Sequence, residues 1–345
     1  MRRTLRRIRQ SAGVNVLEPY RLTKEGQPFL RYEEDGMMIF ASDDDIKFLS
    51  ESSHVFGDGT FKIAPNGYVQ QYTLHAYHEG ITYPCVYALL PGKSEQVYSR
   101  MIEVIKNLVP NLDFNPVSIM TDFEKAAMNA FGTHFPNADI SGCYFHLGQS
   151  AWRHLQAPPG TLARRYKEDT PFALRVRRFL ALAFVPPNEV HHYMQLLMAD
   201  EASRNDGILE FAEYFQQTYV GRWINDNTEI PGMFPYQIWN MYQRVKDGLP
   251  RTNNSLEGWH GAFAKTLPCH PLLSKLAAKY QTEQHKNLLR RQHQAAARQM
   301  ETTRRKYRRL TAKLQSLIDK LDRGVLVNLP YLEQIARVMV IPTHR

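Results

Sequence analysis

The chain has 345 residues, 43% of them hydrophobic and 22% charged, which fits a folded protein of two or three domains, or one core with a large insertion, and excludes disorder throughout. Lys and Arg number 43 against 34 Asp and Glu, so the net charge is +9 and the pI is about 9.3. Such an excess points to an anionic partner, nucleic acid first, although a solvated basic surface would have the same composition. Cys85, Cys143 and Cys269 are too few for a disulfide framework and fit a reducing compartment. No apolar run approaches the length of a membrane span, so no membrane partner is expected. The N-terminal MRRTLRRIRQ has five Arg but no apolar run after them; it is no secretory signal and reads as a nuclear-localisation cluster or part of a basic helix.

In chain order, residues 1–50 read as a basic, irregular segment in which Ser42 opens a short helix. From His54 the pattern is that of strands: HVFGDGTFKI, YVQQYTLHAYHEG and ITYPCVYALL, divided by Pro65-Asn66-Gly67 and Glu79-Gly80, predict a three-stranded antiparallel meander. Val97, Met101, Val104, Ile105 and Leu108 recur at helical spacing behind Ser94, a good N-cap. PVSIMTD (116–122) and DISGCYFHL (139–147) are short apolar strands, each followed by a helix. Together these predict an α/β fold with a mixed five-stranded sheet and flanking helices over 51–157 and 251–270. An all-helical insertion over 158–250 follows Pro158-Pro159-Gly160, and a basic helical region occupies 271–345. There, Tyr307, Leu310, Leu314, Leu317 and Leu321 form a heptad-like seam on one long helix or two.

Three acids stand out. Asp58 sits between glycines within the first strand; Asp-Gly is a hairpin-turn dipeptide, yet paired glycines also let a backbone, metal or phosphate come close. Asp122 ends the fourth strand, where it either caps the next helix or lies at a switch in strand order, the place where open α/β sheets bind ligands. If the fourth strand pairs with the first, the two carboxylates become neighbours and require a cation such as Mg²⁺ or Mn²⁺. Glu257, in RTNNSLEGWH, fits a capping box with Asn254, but with His260 it also has the i, i+3 spacing of metal ligands. A third carboxylate would complete an acidic cluster for two ions, the arrangement that clamps both oxygens in phosphoryl transfer.

Cys143 and His146 are half of a zinc set that Cys269-His270 would have to complete; a buried Cys with a hydrogen-bonded His is the simpler reading, and zinc is not expected. No nucleophile elbow, Walker-A loop or dinucleotide fingerprint is present. Residues 279–313 hold eleven Lys and Arg, among them Arg290, Arg291, Arg304, Arg305, Lys306, Arg308 and Arg309, against Glu283 and Glu301 only. This one-sided charge is expected to contact DNA phosphates.

HVFGDGTFK, PVSIMTDFEKAAMNAF, GCYFHLGQSAWRHLQ and RTNNSLEGWHGAFAK, in this order over roughly 50–266, resemble the transposases of Mutator-like elements, the MULE domain. The resemblance implies an RNase H-like fold with a helical insertion before the last acidic residue. It also implies an Asp-Asp-Glu catalytic triad at Asp58, Asp122 and Glu257 holding two Mg²⁺ or Mn²⁺ ions, with the family's Cys-x-x-His at Cys143 and His146; His260, picked out by its spacing from Glu257, is expected to support the site with them. Cut-and-paste transposition on DNA, with a homo-oligomer on the DNA ends, is the expected activity; a domesticated DNA-binding protein without cleavage is the alternative. Related transposases often carry an N-terminal zinc-binding recognition module, and residues 1–50 contain no cysteine. A truncated recognition region, or a role for the host, is therefore expected.

Overall fold

The computed structural model describes residues 17–108, 113–158, 160–201, 207–225, 228–297 and 305–340. The chain divides into two compact units: Met1–Ile140 with Asn253–Thr302, and Ser141–Thr252 with Thr303–Arg345.

The first unit is built on a mixed seven-stranded sheet of order β1-β2-β5-β4-β3-β6-β7. Its strands are β1 (Leu30–Glu34), β2 (Met37–Phe40), β3 (His54–Thr60), β4 (Gln70–His78), β5 (Ile81–Leu90), β6 (Ser118–Thr121) and β7 (Asp139–Gly142). The meander β3-β4-β5 is as the alternating pattern predicts, and the β4–β5 turn is Glu79-Gly80, both with positive φ. The sheet exceeds the expected five strands because residues 30–40, read as irregular, form a hairpin whose β2 pairs with β5. Its turn is Asp35-Gly36, with φ of 50° and 76°, the left-handed pair that a two-residue hairpin loop requires.

Helices of at least eight residues are numbered. In this unit α1 (Asp43–Ser50) starts at Ser42, whose hydroxyl accepts from the Asp45 amide. Helix α2 (Glu95–Asn107) starts at Ser94, and α3 (Lys125–His134) follows β6. The second unit holds α4 (Tyr144–Leu155), α5 (Thr161–Glu168), α6 (Thr170–Ala181), α7 (Val190–Glu201) and α8 (Ile208–Phe215). Helices α9 (Asn254–Ala264) and α10 (Leu273–Ala297) return to the first unit; α11 (Arg305–Asp322) and α12 (Asn328–Val338) belong to the second. The insertion expected to be all helical also has a two-stranded hairpin, Arg222–Asn225 with Thr228–Ile230.

Apolar cores cover both faces of the sheet. Val55, Tyr72, Leu74, Val86 and Ala88 pack with Met101, Ile102 and Ile105 of α2 and Phe131 of α3. Phe40, Tyr87 and Leu89 pack on the opposite face with Phe263 of α9 and Tyr280 of α10. Strand β5 is apolar at nearly every position for this reason, since a strand covered on both faces loses its alternation. In the second unit Leu314, Leu317, Ile318 and Leu321 are buried, and α11 packs with α12 and the short helix Tyr242–Lys246. The later part of the heptad-like seam, Leu314, Leu317 and Leu321, therefore serves that unit's own interior, whereas Tyr307 is exposed and Leu310 only partly buried.

Burial also sorts the thiols. Cys85 is fully buried in β5, which pushes its pKa up to about 12, and Cys143 is buried too, whereas Cys269 is exposed. The native protein should show one fast-reacting thiol towards an aromatic disulfide reagent and three after denaturation. Rapid labelling of Cys85 in the native state would contradict this packing.

Candidate active site

Strand β3 pairs with β6 in parallel, with His54, Val55 and Phe56 opposite Ser118, Ile119 and Met120. Continued two residues, this register places Asp58 beside Asp122, as expected if the fourth predicted strand joins the first. Asp58 lies within β3 opposite Thr73 of β4, so it is a strand residue and no hairpin turn. Asp122 follows the last residue of β6 and does not cap α3, whose N-cap position is Glu124.

Asp58 is 7% exposed. Burial, and then repulsion from Asp122, hold its carboxyl above the usual carboxylate range, while the hydrogen bond from His260 opposes the shift. His260 Nε2 lies 3.1 Å from Asp58 Oδ2 and 3.3 Å from Thr73 Oγ1, and Thr73 Oγ1 is in turn 3.1 Å from His75 Nε2. To donate to the carboxylate, His260 must carry its proton on Nε2. The amide of Asn253 donates to Asp122 Oδ1 at 3.0 Å. Asn253, and not Asn254, occupies the N-cap of α9, and its side chain makes no capping bond. The expected capping box is therefore absent, and the side chain that would cap the helix orients Asp122 instead.

Glu257 is half-buried and is the fourth residue of α9, one turn before His260. Among the described residues no three His, Cys, Asp or Glu side chains gather as a metal-ligand set. The structure thus brings Asp58 and Asp122 together with His260, and does not gather Glu257 with the two aspartates into such a set. Cys143, buried, precedes α4 at its N-cap, and the His146 amide donates to its carbonyl at 3.0 Å.

The glycines beside Asp58 do not open space for a ligand. A Cβ on Gly57 would stand 2.6 Å from the Tyr72 hydroxyl, and one on Gly59 2.6 Å from Gln70 Oε1. Both positions face the α2 side of the sheet, where Tyr72 packs against Tyr98 with ring centroids 5.2 Å apart. Gln70 donates to Tyr98 and Tyr98 to Glu124, at 2.6 and 2.8 Å. On Asp58's own face, Gln71 Nε2, His75 Nδ1, Tyr87 OH, Trp259 Nε1 and His260 Nδ1 are buried without a hydrogen-bond partner among the described residues. Sequence patterns did not single out Thr73, His75 or Asn253; for the two β4 residues the available signal is polar side chains at i, i+2 in a strand otherwise buried on both faces.

The basic segment divides. Arg291 of α10 pairs with the buried Asp45 at 2.5 Å, so it serves the fold. Arg290 is exposed, with its guanidinium 5.4 Å from the Tyr83 ring centroid. Arg308, Arg309 and Lys313 are exposed on α11, which also includes Arg305 and Lys306; the side chains of those two, and all of Arg304, lie outside the described residues, as does the N-terminal Arg cluster.

A like-charge pair leaves a thermodynamic signature. Because Asp58's folded-state pKa is raised, its ionisation destabilises the folded state as pH rises above the unfolded carboxylate value, and the penalty is absent where Asp58 is protonated. In EDTA at neutral pH, Asp122→Asn keeps an oxygen for Asn253 to donate to and should raise the Tm by about 2–4 °C. The gain should shrink as the pH falls towards 4; an equal or lower Tm at neutral pH would contradict the repulsion.

The family model described as MULE transposase domain matches residues 55–150. No curated protein matches the chain. Over a stretch that carries Asp58, Asp122, Cys143 and His146, the chain is similar to the MULE transposase domain.

Proposed function

We infer that the chain is a transposase-like protein that cleaves phosphodiester bonds in DNA and transfers strands at a site built on Asp58 and Asp122. The observation that carries this reading is the pairing of these carboxylates on parallel strands, within the stretch that matches the MULE transposase domain.

The donor set suits a hard cation. Mg²⁺ and Mn²⁺ prefer oxygen, and Mg²⁺ is commonly held by one or two carboxylates together with substrate phosphates and water. Asp58 and Asp122 supply two such groups, and their mutual repulsion favours a counter-charge between them. Glu257 enters as the third carboxylate through the sequence motif, from the helix whose His260 already contacts Asp58. When bound, divalent ions lower the pKa of water and neutralise charge on phosphoryl oxygens.

The chain's own residues orient this pair. His260 engages Oδ2 of Asp58, and Asn253 engages Oδ1 of Asp122. Thr73 steadies the His260 ring from β4. Exposed Arg290, Arg308, Arg309 and Lys313 are the proposed contacts to the DNA backbone, and binding through them weakens with salt. The second reading, a transposase-derived DNA-binding protein without cleavage, is favoured by one observation: no three-ligand set forms among the described residues.

Nicking of supercoiled plasmid separates the two. Cleavage should require Mg²⁺ or Mn²⁺, stop in EDTA, and fall by roughly two orders of magnitude or more in Asp58→Asn, Asp122→Asn and Glu257→Gln. Asp58→Asn cutting as well as the parent would refute the site. DNA binding that survives EDTA, without nicking under any divalent ion, would select the second reading.

A further inference from the structure

Arg251 opens the RTNNSLEGWH motif and belongs to the second unit, where it is 8% exposed. Its Nη1 donates to Thr311 Oγ1 of α11 at 3.2 Å, and its buried Nε has no partner. No carboxylate pairs with it among the described residues. The neighbouring Tyr144 brings no negative charge, because burial raises its phenol pKa well above the ordinary value. The contrast within the same unit is sharp: Arg178, equally buried, has Asp200 at 2.5 Å and Glu201 at 2.6 Å. A buried cation without a counter-charge, and with an unused donor, is costly unless a ligand supplies the anion.

We propose that Arg251 and Thr311 form a binding site for a phosphate group, supplied by the backbone of DNA. The guanidinium fork matches phosphate oxygens, and Thr311, which accepts from Arg251, retains its own hydroxyl proton to donate to the anion. The surroundings favour a strongly anionic ligand. Arg308, one turn before Thr311, is exposed along with Arg309 and Lys313, and Arg177 adds positive charge beside Tyr144. That the phosphate belongs to DNA rests on the proposed function; that the site takes a phosphate does not.

The test uses the full chain in EDTA, so that cleavage plays no part, and compares Arg251→Met and Thr311→Val with the parent. Inorganic phosphate, added over a chloride background of equal ionic strength, should raise the parent's Tm and leave that of Arg251→Met unmoved. In phosphate-free buffer Arg251→Met should melt no lower than the parent, since it removes an uncompensated charge. Its affinity for a labelled duplex should fall roughly tenfold or more, and the slope of log K against log salt should flatten by about 0.9; Thr311→Val should show a smaller loss. If Arg251→Met melts lower than the parent and its salt slope is unchanged, the guanidinium is structural and the proposal is overturned. A phosphate effect lost in Arg251→Met without any change in the DNA slope keeps the anion site and overturns DNA as its source. A parent that binds no duplex defeats the proposed function, while the inorganic-phosphate arm still decides the site.

Discussion

The candidate site depends on one register. Parallel pairing of β3 with β6 puts Asp58 and Asp122 side by side where one of them is almost fully buried, so two like charges meet in a medium that screens them poorly. A single short segment answers both. Asn253 and His260, seven residues apart at the start and second turn of α9, each engage one oxygen of one carboxylate. Helix α9 thereby gives up a side-chain N-cap, worth about 1 kcal/mol, to orient an aspartate instead. Such a trade is expected where stability yields to function.

The two faces of the sheet divide the work. On the α2 side, Gly57 and Gly59 leave room for the Tyr72 ring and the Gln70 side chain, and the Gln70–Tyr98–Glu124 hydrogen bonds tie β4 to α2 and to the start of α3. On the α9 side, Thr73, His75 and His260 extend a polar chain from Asp58 beneath Trp259. Carboxylates on strands backed by packed aromatic rings are held more closely than side chains on loops would be. Charge is divided in the same way: Arg291 neutralises Asp45 within the core, while Arg308 and Arg309 remain on the surface.

Much of this was legible in the sequence. The meander, its Glu79-Gly80 turn, and the Ser42 and Ser94 caps followed from local pattern and turn chemistry. The β1–β2 hairpin was also readable, since Asp35-Gly36 precedes the apolar run MMIF, but the surrounding charged residues masked it. Other features depended on partners far along the chain. Nothing near Asn253 tells whether its amide caps a helix or reaches a residue 131 positions earlier. Nor does the charge run around Arg291 disclose that one member pairs with an aspartate 246 residues away. The flanking glycines read as openings for a ligand because the cross-strand neighbour that fills them, Tyr72, is set by register and not by adjacency.

The most direct test of the central claim is calorimetric titration of Mn²⁺ into the DNA-free protein. If Asp58 and Asp122 are the cation-holding pair, the parent binds Mn²⁺, and Asp58→Asn and Asp122→Asn each lose that binding while keeping the parent's fold by circular dichroism. Undiminished Mn²⁺ binding in both variants would contradict the account.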